Sequence, residues 1–108
     1  MFDWFRNRRR RRWLAQPMPE EWNGWLSQNV WQYRHLDESR QRKVREFVCV
    51  MFHEKDWVGG NRFVVTDEMR VTIAGQAALM TLGFERPWYF DRLRTIIIYQ
   101  GVAKYTPW

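Results

Sequence analysis

Residues that staple or ligate are scarce in this sequence. Its 108 positions hold one cysteine, Cys49, and two histidines, His35 and His53. A single thiol cannot close an internal disulfide, which excludes a disulfide-stapled secreted scaffold and suits a reducing cytoplasm. Two histidines without a cysteine pair exclude the recognisable structural zinc sets. No apolar run reaches the roughly 18–20 residues that span a bilayer. Residues 1–14 carry no apolar stretch followed by small residues, so neither a membrane span nor a secretory leader is expected.

Aromatic residues, in contrast, are plentiful. Eight Trp, seven Phe and four Tyr contribute to an 18% aromatic share within 45% hydrophobic residues. A disordered tail has few such groups to bury, so a folded body is expected, of a length that suits one domain. The charge is uneven. Of the net +6, five charges fall in residues 1–12, where Arg6, Arg8, Arg9, Arg10, Arg11 and Arg12 meet one acid, Asp3. The division is therefore a basic, mobile arm over residues 1–16 and a near-neutral body over 17–108. The six arginines are candidate anion-binding residues, with anionic lipid, nucleic acid or an acidic protein surface as partner. Basic groups confined to an arm weaken a nucleic-acid reading, which wants them on a folded face. The plainer reading has Phe2, Trp4, Phe5, Trp13 and Leu14 capping the core while the arginines are solvated.

Pro17 and Pro19 break the chain between arm and body. Pro19, Glu20 and Glu21 then open a helix that buries Trp22, Trp25, Leu26 and Asn29. Were those tryptophans exposed instead, they would make a protein-binding adaptor. Asp37 caps a second helix whose buried face is Val44, Phe47, Val48 and Met51, with Gln41, Arg42, Arg45 and Glu46 toward water. Gly59 and Gly60 mark a break, and residues 62–65 read as a strand. Thr66 caps a third helix over 66–82, with Met69, Ile73, Ala77 and Met80 as its buried stripe, broadened by Ala74 and Leu82, and Ala74, Gly75, Ala77 and Ala78 permitting close approach. Residues 95–99 form a second strand. Its Ile96, Ile97 and Ile98 do not alternate, as in a central strand covered on both faces. The remaining chain looks too short to flank and cover it, so an incomplete body, or self-association through Ile96, Ile97 and Ile98, is expected. The fold class is α+β, mainly helical with two short strands.

Catalytic patterns are not evident. His53 and Glu54 begin a zinc-peptidase helix motif, but the position one turn on is Trp57, whose indole nitrogen cannot ligate a metal. Cys49 reads as a buried, unactivated thiol, and Gly59-Gly60 lacks the Lys and Ser/Thr of a phosphate loop. No catalytic and no metal residue is assigned.

The segment Val65-Thr66-Asp67-Glu68-Met69-Arg70-Val71-Thr72-Ile73-Ala74-Gly75-Gln76-Ala77-Ala78-Leu79 resembles the signature of the Mlc titration factor A (MtfA) family of bacterial zinc-dependent peptidases. The Arg-rich start, Pro19-Glu20-Glu21-Trp22, Tyr33-Arg34-His35-Leu36, Phe52-His53-Glu54-Lys55 and the strand after residue 95 fall in the same order. The resemblance implies a cytoplasmic zinc metallopeptidase with a zincin-like fold, likened to the core of anthrax lethal factor. It also implies a link to the Mlc repressor and to glucose phosphotransferase regulation. The family's His-Glu-x-x-His helix lies downstream of the matched part, and residues 1–108 contain no such motif. The expectation is the N-terminal structural portion of such an enzyme, inactive alone and without zinc of its own. The alternative is a small interaction module built on the arginine arm.

Overall fold

The computed structural model describes residues 2–86, 88–99 and 102–107. Its helices are α1 (Phe2–Ala15), α2 (Glu20–Asn29), α3 (Glu38–Glu54) and α4 (Asp67–Leu79), and its strands are β1 (Asp56–Gly59), β2 (Leu93–Tyr99) and β3 (Val102–Pro107). Short 3-10 turns lie at Trp31–His35 and Gly60–Arg62. The class is α+β and mainly helical.

Local chemistry sets the helix starts. The Asp37 carboxylate accepts the Arg40 amide at 2.8 Å, and the Thr66 hydroxyl accepts that of Met69 at 3.2 Å. Each satisfies one of the amides a helix start leaves unpaired. Pro19 precedes α2 at φ −57°, an angle its ring imposes. At the far end of α3 the Met51 carbonyl accepts both the Lys55 amide at 3.2 Å and the Trp57 indole at 3.1 Å.

The core forms where α2, α3 and α4 meet the sheet. Val44, Phe47, Val48 and Met51 of α3 are all buried, as their spacing requires. Trp22 and Leu26 of α2 are buried and Trp25 half-buried, so Trp22 belongs to the core rather than to an exposed adaptor surface. Asn29 is exposed and ties α2 to α4 by donating to Glu68 at 2.9 Å and Thr72 at 3.0 Å. Tyr33 of the first 3-10 turn is fully buried. Its hydroxyl donates to Asn23 at 2.6 Å and accepts from Arg45 at 2.9 Å. Arg45 and Gln41 thus serve the body, Gln41 by donating to the Tyr33 carbonyl, while Arg42 and Glu46 are exposed.

The buried face of α4 is rotated from the expected stripe. Val71, Ala74, Gly75 and Ala78 are buried, whereas Met69, Ile73 and Ala77 are half-buried and Met80 is exposed. Close packing on α2 explains the rotation. A Cβ on Gly75 would lie 2.5 Å from Leu26 Cδ2 and 3.2 Å from Val30 Cγ2, so only the small-residue face fits there.

The sheet has three strands in the order β1-β2-β3. Strands β1 and β2 are parallel, with Trp57 opposite Ile96 and Val58 opposite Ile97, and α4 lies in the crossover between them. Strands β2 and β3 are antiparallel. Two expectations are corrected here. Residues 62–65 are not a strand, because Asn61 and Arg62 adopt positive φ (52° and 64°) and turn the chain back on itself. At that reversal the Phe63 carbonyl comes so near Gly59 that any Cβ would overlap it. The strand lies instead at 56–59. Nor does β2 lack flanking material: both of its edges are paired, and a second copy would meet the outer edges of β1 and β3 rather than those of Ile96, Ile97 and Ile98. The two faces of β2 differ, with Ile96 and Ile98 buried and Ile97 half-buried.

Candidate functional site

Helix α1 divides the arginine run. At about 100° per residue, Arg6, Arg10, Trp13 and Leu14 share one face, and that face meets the body. Arg10, at 7% exposure, and Lys55, at 6%, are the buried charges among the described residues. The Arg10 Nε and Nη2 donate to the two Glu54 oxygens at 2.8 Å each, and Nη2 donates also to Asp91 at 2.7 Å. Its guanidinium lies 4.7 Å from the centre of the Tyr89 ring. Beside it Lys55 donates to Glu54 and to the Phe90 carbonyl, both at 2.9 Å. Arg6 adds contacts to Asp3 at 3.1 Å and Asp91 at 3.3 Å, while its Nε is buried without a partner among the described residues. This network joins α1, the end of α3 and the approach to β2.

Burial opposes each of these charges, and the balance differs within the network. For Arg10 the hydrogen bonds to Glu54 and Asp91 outweigh burial and raise its pKa. For Glu54 burial is outweighed by the bonds from Arg10 and Lys55, which hold the carboxyl below its ordinary range. For Lys55 burial prevails over Glu54 and the value falls. Every carboxylate here is matched to a cation, which is the pattern of a structural lock rather than of a poised acid or base.

A second locus lies between α1, α2 and α3. Trp13, Trp22, Phe52 and His53 gather around a cavity of about 220 Å³ that Cys49 and Asp67 also line. The His53 ring stacks on Trp13 at 5.6 Å, and its own pKa is lowered by burial. Burial, then Glu46, raises the Cys49 thiol, which contacts the Trp13 carbonyl at 3.5 Å. Such a thiol is unactivated, as the sequence reading expects. Asp67 pairs with Arg70. His35 stands in another element, with its ring against Trp31. Among the described residues no three His, Cys, Asp or Glu side chains converge to hold a metal ion.

A third feature is an apolar groove of about 490 Å³ lined by Met51, Gln76, Ala77, Met80, Phe90 and Leu93. It lies where the expected stripe of α4 is left uncovered. Of the six candidate anion-binding residues, Arg6 and Arg10 are turned inward onto acids, and Arg8, Arg9, Arg11 and Arg12 are exposed. The inward pair went unrecognised in the sequence, although Arg6 and Arg10 share the i, i+4 phase that leads on to Trp13 and Leu14. Leu14 packs against the core as expected and Trp13 stacks on His53 beside it, while Trp4 and Phe5 are exposed.

A family model described as glucose-regulated metallo-peptidase M90 matches residues 4–106. The chain belongs to the M90 family. An uncharacterized protein of Synechocystis is similar to it, at 31% identity over 97 residues. That alignment takes in 90% of this chain and 34% of the relative, so the chain spans about a third of the relative it matches. No solved structure matches. The M90 assignment agrees with the likeness seen at residues 65–79. It also implies a metal, and the donors described here do not fit one: His53 is engaged by aromatic rings, Asp67 by Arg70, and His35 is apart. No step through a metal is therefore assigned to these residues. No helix among the described residues is long and apolar enough to cross a membrane.

Proposed function

We propose that this chain is the N-terminal structural portion of an M90 zinc metallopeptidase of zincin-like fold, and that it contributes scaffold rather than chemistry. The observation that carries the reading is the family match over residues 4–106 in a sequence without His-Glu-x-x-His. Two facts support it. The relative extends far beyond the matched region, and the groove between α3, α4 and β2 leaves apolar surface for further chain to cover. In this reading α4 underlies the sheet, and the metal ligands and general base belong to sequence outside these 108 residues. The setting is the cytoplasm, and the Mlc-like repressor implied by the resemblance is a partner of the whole enzyme.

Zinc titration of the purified chain, followed by a chromogenic amino-acid anilide assay, tests this. The expected result is weak, non-stoichiometric zinc uptake and no hydrolysis that a chelator removes. One tightly held zinc per chain, with chelator-sensitive turnover, overturns it.

A further inference from the structure

We propose that the outward face of α1 docks on an anionic lipid surface, independently of the peptidase reading. On a helical projection Trp4, Phe5, Arg8, Arg11 and Arg12 fall within an arc of about 120°, with Arg9 at its margin. Trp4 and Phe5 are 54% and 51% exposed, although they are the large apolar groups of the first turns. Their rings meet edge to face at 4.8 Å, and the Arg8 guanidinium lies 5.5 Å from the Trp4 ring centre. None of Arg8, Arg9, Arg11 and Arg12 has an ion pair among the described residues. The helix's one acid, Asp3, is engaged by Arg6, away from this arc. The face is thus two interfacial aromatics followed by four unpaired cations and no carboxylate.

That composition fits the boundary of an anionic bilayer, where Trp sits at headgroup depth and guanidinium groups meet lipid phosphates. The inward arginines strengthen the case. Arg6 and Arg10 fix the rotation of α1 by gripping Asp91 and Glu54, so the outward face is presented ready-made. Single-stranded nucleic acid is the weaker occupant. Trp4 already carries Phe5 on one side and Arg8 within reach of its ring, which leaves little open ring for a base to stack on.

The test is sedimentation of the full chain with vesicles of phosphatidylcholine alone, and of phosphatidylcholine and phosphatidylglycerol in equal parts. Binding is expected to the second only, and to weaken as salt rises. Each Arg→Gln change at 8, 9, 11 or 12 should lower partitioning about fivefold, and all four together by on the order of 10³-fold. Circular dichroism should stay unchanged, because these side chains point to solvent. The corresponding Arg→Lys variant should bind like the parent. Lipid brominated in its acyl chains should quench the parent's fluorescence more than that of Trp4→Ala. Equal binding to both vesicles, no binding, full binding by the Gln variant, or tighter binding to single-stranded RNA than to the anionic vesicles would overturn the proposal.

Discussion

Arg10 and Arg8 are identical in type and two positions apart, yet substitution should matter greatly at the first and little at the second. Arg10 neutralises Glu54 and Asp91 in a buried setting, and removing one partner of a buried pair costs about 3–5 kcal/mol because the other charge is stranded. Arg10→Met should therefore lower the stability measured in urea by about that much, while Arg8→Ala should stay within about 0.5 kcal/mol. Equal effects would show that the network is not load-sharing in solution. The same region sets the pH response. An unfolded chain takes up a proton at His53 near 6.5, whereas burial lowers the folded value. Between the two the unfolded state holds more protons, so stability falls as pH drops through that window. Glu54 acts in the same sense lower down. Its folded value lies below the ordinary 4.5, and stability is lost as pH falls from there through the folded value. Urea midpoints across pH should show both stages, and His53→Gln should abolish the upper one alone. An upper stage, between pH 6.5 and the Glu54 range, that persists in His53→Gln would assign it to another group.

At the scale of elements, two glycines in helices make a matched pair. Gly24 of α2 has nothing within 4 Å of an added Cβ, whereas Gly75 of α4 would press on Leu26 and Val30. Gly24→Ala should stabilise by up to about 1 kcal/mol through helix propensity. Gly75→Ala gains the same propensity but overpacks a contact whose cost is about 1–3 kcal/mol, so it should destabilise. Thermal melts of the two variants should move in opposite directions, and a shift upward in both would mean that α2 and α4 are less closely packed than described. The small residues of α4 were legible as a close-approach face, as were the Asp37 and Thr66 caps and the α3 stripe, because each is written in neighbouring positions. The phase of α4 was not. The larger side chains Met69, Ile73 and Met80 outweigh alanine in any hydrophobic pattern, but the constraint that decides the face is the Leu26 side chain of another helix. The strand at 56–59 was missed for a similar reason. Val64 and Val65 have the stronger local β preference, yet Trp57 and Val58 are the residues that find a partner in Ile96 and Ile97 across the α4 crossover.

For the whole molecule, what the sequence hid most completely is how residues 1–16 relate to the rest. A run of arginine repels itself and an isolated helix of this length is marginal, so nothing local in the run indicates a helix. The acids that hold α1 in place lie 44 and 81 positions away, beyond the reach of any pattern in the run itself. The triple-isoleucine strand was legible as central, but β1 and β3, which flank it, were not, since one has only four residues and the other ends in a proline, a weak strand signal. If α1 is part of the folded unit, its deletion should be felt far from it. Removing residues 1–15 strands Glu54 with Lys55 as its remaining cation and strips the Trp13 carbonyl from Cys49. The expected outcome is a loss of about 3–5 kcal/mol in urea, together with faster reaction of Cys49 with a disulfide reagent as its thiol is uncovered. The two readouts distinguish the cases. A deletion variant with unchanged midpoint and unchanged thiol reactivity would make α1 an appendage. One that keeps its midpoint but exposes Cys49 would mean that α1 shields the α3 surface without sharing in the cooperative unit.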